Sequence, residues 1–64
     1  MIMNWINIKS IDELPKDKTI LVCNNISIEY ILFDMNAWRF CYTEAMISEN
    51  LLKTYVKYFI PTLG

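Results

Sequence analysis

The sequence predicts a β-rich α+β fold: a small antiparallel meander sheet of about four to five strands, with one short helix packed on one face. Its 64 residues allow one domain, residues 1–64, since chains of this size bury only about 60% of the surface they expose when unfolded. Hydrophobic residues make up 55% of the chain, so a concentrated apolar core is available. Short apolar or alternating runs, separated by proline and asparagine, are typical of strands joined by turns.

The N-terminal part predicts a short strand followed by a helical turn. Residues 5–8 alternate enough for a strand. Ser10 and Glu13 have the spacing of a capping box, and Pro15 ends any helix after about one turn. Residues 15–18 then have the chemistry of a turn.

The middle of the chain predicts a β-hairpin. Residues 19–23 form an unbroken apolar run, as expected for a central strand, and residues 26–33 form the return strand. Asn24 and Asn25 are expected to form a two-residue turn. The reason is that the only glycine is Gly64, and asparagine is the next best residue at positive φ.

The C-terminal half predicts a second turn, a strand, a helix and a closing strand. Residues 34–36 form the turn and residues 37–42 the aromatic-rich strand. Residues 43–53 are expected to be a short helix capped by Thr43, with an ordered loop as the alternative. The closing strand is followed by Pro61, which suits an edge strand or an exit from the sheet. The helix at residues 43–53 is predicted because apolar residues recur there at near-helical spacing: Met46, Ile47, Leu51 and Leu52, followed by Tyr55.

The two faces of the predicted hairpin differ in polarity. A two-residue turn pairs Cys23 with Ile26 and Leu21 with Ile28, which makes one face almost wholly apolar. We expect that face to be the core beneath residues 43–53. The mixed face is the expected partner or dimer interface, because apolar groups rimmed by polar ones mark association surfaces. Its partner-binding residues, with two from the next strand, are Ile20, Val22, Glu29, Ile31, Phe33, Trp38 and Arg39.

Two alternatives to this assignment stay open. A three-residue loop would reverse the side-chain parity and exchange the two faces. If Ile20, Val22, Glu29, Ile31 and Phe33 instead lie beneath residues 46–52, the binding face is the one assigned to the core.

The composition argues against catalysis, and no cofactor or metal is expected. There is no histidine for acid/base or nucleophilic chemistry, and the carboxylates Glu44 and Glu49 do not share a helical face. Without internal glycine the chain has no phosphate-binding loop. Cys23 and Cys41 cannot complete a zinc site alone, and we expect both to be buried thiols in a reducing compartment.

Charge and hydropathy favour a cytoplasmic protein that does not bind nucleic acid. Six basic and seven acidic side chains give a net charge of -1, whereas phosphate binding requires a basic excess. Aromatic residues could stack on single-stranded bases, but core and interface packing is the favoured interpretation. No apolar run approaches the roughly 18 residues of a membrane span. Residues 1–6 lack the basic leader of a secretory signal.

The order of several short motifs resembles a family of short phage and prophage proteins known as domain of unknown function 551. The matching stretches are residues 5–8, residues 12–15, residues 20–22, Trp38 and residues 56–61. Lys57 stands where the family tends to carry histidine, and asparagines replace its glycine-rich turns. The family has no assigned activity, so the resemblance implies a phage or mobile-element context.

Three functions are compatible with these observations. The first is a small accessory protein that binds and blocks a host protein, such as a CRISPR effector or another defence protein. The second is a homodimeric structural or regulatory module. The third and weakest is a binder of single-stranded nucleic acid.

Overall fold

The computed structural model describes residues 4–61 and contains one five-stranded antiparallel sheet, a 3-10 turn and one short α-helix. The strands are ordered β1-β5-β2-β3-β4. The predicted α+β, β-rich class is therefore confirmed. Residues 1–3, part of the opening segment in which no secretory signal is expected, lie outside the described residues, as do residues 62–64. The elements are β1 (Ile6–Asn7), the 3-10 turn (Ile11–Glu13), β2 (Ile20–Cys23), β3 (Ile28–Asp34), β4 (Ala37–Phe40), α1 (Glu49–Leu52) and β5 (Lys57–Phe59).

The closing strand, β5, lies inside the sheet. Only β2, β3 and β4 form a meander, and β5 pairs with β2 on one side and β1 on the other. Pro61 follows two residues after β5 and so does not interrupt either ladder. The edge position considered for this strand is therefore wrong, whereas Pro61 does mark the exit from the sheet.

The 3-10 turn confirms the short helical turn predicted around Ser10. The Ser10 side chain accepts a hydrogen bond from the Asp12 amide at 3.2 Å, as an N-cap should. The Glu13 carboxylate accepts from the Lys9 amide at 2.7 Å. Leu14, which follows the turn, is buried in the core.

The β2–β3 connection differs from the predicted two-residue turn. Ile20 pairs with Ile31 and Cys23 with Ile28, so the loop has four residues, 24–27. The Asn24 side-chain oxygen accepts hydrogen bonds from the amides of Ile26 at 2.8 Å and Ser27 at 2.9 Å. Asparagine shapes this loop by bonding its own backbone rather than by taking a positive φ. Because the loop is two residues longer than predicted, the side-chain parity is unchanged.

The β3–β4 connection is the tight turn predicted at residues 34–36. Asp34 pairs with Ala37, which leaves Met35 and Asn36 as a two-residue hairpin loop. Both have positive φ, 52° and 62°, as a type I′ turn requires. Asparagine tolerates this conformation better than methionine does, so Met35 carries most of the backbone strain.

The core lies on the sheet face that the sequence assigned to the interface. Ile20, Val22 and Ile31 have no solvent-exposed surface, and their neighbours in the cluster include residues from outside the strands. The expected assignment of the two faces is therefore reversed, although the parity that defines them was right. Besides these three, the buried cluster contains Leu14, Trp38, Ile47, Leu52 and Tyr55.

The helix is one turn long rather than the predicted residues 43–53. Its N-cap is Ser48, whose hydroxyl accepts a hydrogen bond from the Leu51 amide at 3.2 Å, and not Thr43. Glu44 has φ 63°, which is incompatible with a helix, and Met46 forms a bridge with Arg39. Residues 43–48 are therefore an ordered segment along β4, the alternative that the sequence left open.

Candidate protein-docking surface

The face of the sheet opposite the core, here called the open face, is defined by strand register. Side chains alternate between faces along each strand, and paired residues share a face. Leu14, Ile47, Leu52 and Tyr55, which come from outside the strands, all pack on the other face, here called the covered face. The open face consists of Asn7, Leu21, Cys23, Ile28, Tyr30, Leu32, Asp34, Ala37, Arg39, Lys57 and Phe59.

The open face exposes large apolar side chains at its centre and along one side. Leu21 is 7% exposed because neighbouring strands flank it, whereas Ile28 is 62% exposed and Tyr30 52%. Tyr42, just beyond β4, is 99% exposed. A shallow groove joins these exposed residues and is lined by Thr19, Ile28, Glu29, Tyr30, Phe40, Cys41 and Tyr42.

The described residues expose as many large hydrophobic side chains as they bury. Nine are buried in the core and nine are exposed, from Ile6 to Val56. Isolated exposed apolar residues are normal, but a connected group on one face marks an association surface. Ile28 and Tyr30 lie two residues apart on the open face of β3, and Tyr42 lines the same groove.

An aromatic pair extends the open face toward β1. Trp5 and Phe59 lie with their ring centroids 5.9 Å apart and an angle of 49° between their planes. Both are half-buried, so the pair packs against itself while leaving part of each ring accessible. Aromatic pairs of this kind contribute roughly 0.5–1.5 kcal/mol beyond area burial.

The charged side chains of the open face lie at opposite ends. Lys57 is paired with Cys23, at the end where β2 finishes, and Asp34 is at the end where β3 finishes. Arg39 lies next to Asp34, and its guanidinium donates hydrogen bonds to the backbone carbonyls of Asp34 and Glu44, both at 3.1 Å. These contacts tie the β3–β4 turn to the strained Glu44 segment. A second groove at this corner is lined by Leu32, Asp34, Met35, Arg39, Cys41 and Glu44.

Both cysteines border the open face as free, half-buried thiols rather than fully buried ones. Cys23 is on β2, and Cys41 follows β4, with its amide bonded to the Tyr30 carbonyl at 3.0 Å. The strand β3 lies between them, so their Cα atoms are roughly 10 Å apart, beyond the roughly 7 Å limit for a disulfide. Among residues 4–61 no group of three metal-ligating side chains comes together.

The most perturbed titratable group is on the covered face. Burial raises the pKa of the Tyr55 phenol above its ordinary value, the negative charge of Glu29 raises it further, and a hydrogen bond with Ser27 lowers it. Tyr55 is 4% exposed, so it does not face a site that substrate could reach. Its pKa shift is a consequence of core packing.

The structure places most of the sequence-predicted binding residues away from the open face. Ile20, Val22, Ile31 and Trp38 are buried in the core, so a docking role for these side chains is wrong. Phe33 and Glu29 share that covered face and are half-buried; Phe33 makes an edge-on contact with Trp38, with centroids 5.4 Å apart. Only Arg39 of the predicted set is on the open face.

Sequence reasoning missed Ile28, Tyr30 and Tyr42. The signal that identifies the correct face comes from β4, where Trp38 and Phe40 pair with Phe33 and Ile31. Large aromatic residues therefore extend the Ile31 face, whereas the small Ala37 and the charged Arg39 extend the other face. The hairpin alone does not contain this information.

Comparisons with known proteins add no relative. A scan against protein-family models finds no match to this chain, and neither do searches of curated proteins and of solved structures. The open face must therefore be interpreted from its own chemistry. Between residues 4 and 61, no helix is both long and apolar enough to cross a membrane.

Proposed function

We propose that this chain is a small non-catalytic accessory protein that acts by binding another protein through the open face of its sheet. The observation that carries the proposal is the exposure of Ile28 and Tyr30 on the open face, with Tyr42 lining the same groove. An apolar centre bordered by charged residues is the usual anatomy of a protein interface.

The chemistry of the described residues supports binding over catalysis. The chain has no histidine, and Tyr55, whose phenol pKa is raised by burial, is enclosed in the core. The two grooves are shallow and lie on the open face or its rim. Binding of a large, gently curved surface suits this geometry better than enclosure of a small substrate.

The biological setting of the proposal comes from the phage-family resemblance in the short motifs. In that setting the partner is a host protein, such as a CRISPR effector or another defence protein, and the chain acts in the host cytoplasm. Blocking requires only that the open face occupy a functional surface of the partner. A chain of 64 residues is large enough to present one such face.

The proposal is tested by affinity capture from host lysate with matched variants. Ile28→Glu places a charge at the centre of the open face, and Leu51→Glu places the same charge on α1, beside the covered face. Both positions are exposed, at 62% and 40%, so both variants should fold. We expect a stoichiometric protein to be captured by the wild type and by Leu51→Glu, and lost with Ile28→Glu.

Two results would contradict the proposal. One is the absence of any stoichiometric protein partner under stringent washing. The other is equal capture by the wild type and Ile28→Glu, which would place binding elsewhere on the molecule.

A further inference from the structure

The open face has charges arranged so that it is complementary to itself. We infer that two copies of this chain associate through their open faces as a reversible two-fold dimer, with Lys57 of each copy against the partner's Asp34. The occupant is a second copy of the chain, so this inference goes beyond the foreign partner of the proposed function and does not depend on it.

Lys57 and Asp34 lie at opposite ends of the open face. Lys57 lies at the level of Cys23 and Ile28, and Asp34 is six residues further along β3, two strands away from β5. With about 3.3 Å per residue and about 4.8 Å between strands, Lys57 and Asp34 are roughly 20 Å apart. Both side chains are exposed.

A two-fold axis can place these charges against each other. In a two-fold dimer both copies use the same patch. A contact between Lys57 of one copy and the partner's Asp34 is therefore repeated between Asp34 of that copy and the partner's Lys57. An axis lying between the two faces, at right angles to the line from Lys57 to Asp34, brings each lysine to the partner's Asp34, so the dimer contains two such pairs. Arg39 and Glu44 lie beside Asp34, and their charges offset each other, so that corner keeps a net charge of one carboxylate. Lys18 is at the rim beside Thr19 and does not lie on this line.

Apolar residues lie between Lys57 and Asp34 on the open face. Leu21, Tyr30 and Phe59 lie between the two corners, and Ile28 is exposed beside Lys57. Leu21 is already buried within each copy, and face-to-face contact would remove Ile28, Tyr30 and the accessible part of Phe59 from water in both copies. Small domains with limited cores commonly gain stability from oligomerisation, and residues 4–61 expose as many large apolar side chains as they bury.

The size of the face sets the strength of the dimer. The five strands are about 4.8 Å apart and two to seven residues long, four on average, so the face measures roughly 20 Å by 13 Å. Allowing for surface corrugation, each copy contributes on the order of 350 Å², so the total lies below the standard range for specific interfaces and in that of weak, transient ones. We therefore expect a dissociation constant in the micromolar range and a dimer that separates readily on dilution.

Sedimentation equilibrium of charge-reversed variants tests the geometry. The wild type should change from monomer to dimer between about 1 µM and about 1 mM. Lys57→Asp and Asp34→Lys should each weaken self-association roughly tenfold or more, because each change turns two attractions into two repulsions. An equimolar mixture of the two variants should recover wild-type affinity, since each copy then supplies the charge that the other needs.

Leu51→Glu serves as the matched control and should dimerise like the wild type. Circular dichroism and urea midpoints should show that the charge-reversed variants remain folded, since both sites are exposed. A wild type that stays monomeric at all concentrations overturns the inference. A dimer that ignores both charge reversals, or a mixture that fails to recover, also overturns it. In either case, capture of a host protein by the wild type but not by Ile28→Glu would leave the proposed function standing.

Discussion

Two isoleucines on β3 offer a direct test of which face of the sheet is the core. Ile31 is on the covered face and fully buried, and it pairs with Ile20 and Phe40. Ile28 is on the open face and 62% exposed. The two residues have the same side chain in the same strand. Ile31→Val and Ile28→Val therefore remove the same methylene group and differ mainly in how deeply that group is buried.

The expected magnitudes follow from burial. Removing a fully buried methylene costs about 0.8 kcal/mol of transfer free energy, and the residual cavity raises this to about 1 kcal/mol for Ile31→Val. At Ile28 little more than a third of the side chain is buried, so the loss is about 0.3 kcal/mol. The whole domain has on the order of 3–10 kcal/mol of stability, so the first change is substantial and the second is not.

Urea unfolding measured by circular dichroism provides the assay. For a protein of this size the free energy of unfolding falls by about 1 kcal/mol per molar urea, so Ile31→Val should lower the midpoint by about 1 M. Protein concentrations below about 1 µM avoid a contribution from micromolar self-association at the open face. Equal midpoints for the two variants, or a larger loss at Ile28, would refute the assignment of the covered face as the core.

Three further predictions concern the turn, the arginine contacts and pH. Met35→Asn should raise the free energy of unfolding by about 1 kcal/mol, because asparagine tolerates positive φ better; an unchanged urea midpoint would show that Met35 is not strained. Arg39→Met should lower the free energy of unfolding by about 1–2 kcal/mol, because the hydrogen bonds to the carbonyls of Asp34 and Glu44 are lost. Arg39→Lys should recover only part of that loss. A free energy of unfolding equal to that of the wild type in Arg39→Met would contradict this. Because burial raises the pKa of Tyr55 above 10.0, its contribution to stability is complete below that pH and is lost as pH rises through the folded-state pKa. Tyr55→Phe should therefore flatten the decline of stability in alkaline urea titrations, and an identical decline would exclude this role.

The sequence was sufficient for the local elements whose determinants are close together in the chain. Ser10 and Pro15 are enough to start and stop a short turn, and that turn is present. Asn36 supports a tight β3–β4 hairpin, which is also present. Each depends on backbone preferences within a few residues, so no knowledge of tertiary packing is needed.

The helix and the face assignment depend on contacts that are distant in sequence. The spacing of Met46, Ile47 and Leu51 is near-helical, but the amides of residues 45–47 lie along β4, where a bridge joins Met46 to Arg39. Pairing with a strand edge satisfies the backbone as well as a helix does, and periodicity cannot distinguish the two. Which face was covered depended in turn on where this segment crossed the sheet.

The sequence therefore predicted the type of site but assigned it to the wrong face of the sheet. An apolar face bordered by charge was expected on one side of the β2–β3 hairpin, and the structure has such a face on the other. Both faces of the hairpin contain isoleucine, so hydrophobicity alone did not separate them. The aromatic residues Trp38 and Phe40 decide the matter through their register with β3.

The segment that follows β4 has a consequence for how copies of this chain can assemble. The Ile47 amide donates to the Trp38 carbonyl at 2.8 Å, and the Phe40 amide donates to the Ala45 carbonyl at 3.0 Å, so the outer edge of β4 is already occupied. Endless growth of a sheet requires a free edge at both sides of every copy, because each new chain must leave another edge exposed. Within residues 4–61, the sheet has a free edge only on the β1 side. Strand addition could then join two molecules but could not continue, which protects an apolar 64-residue chain from polymerising into fibrils while folded.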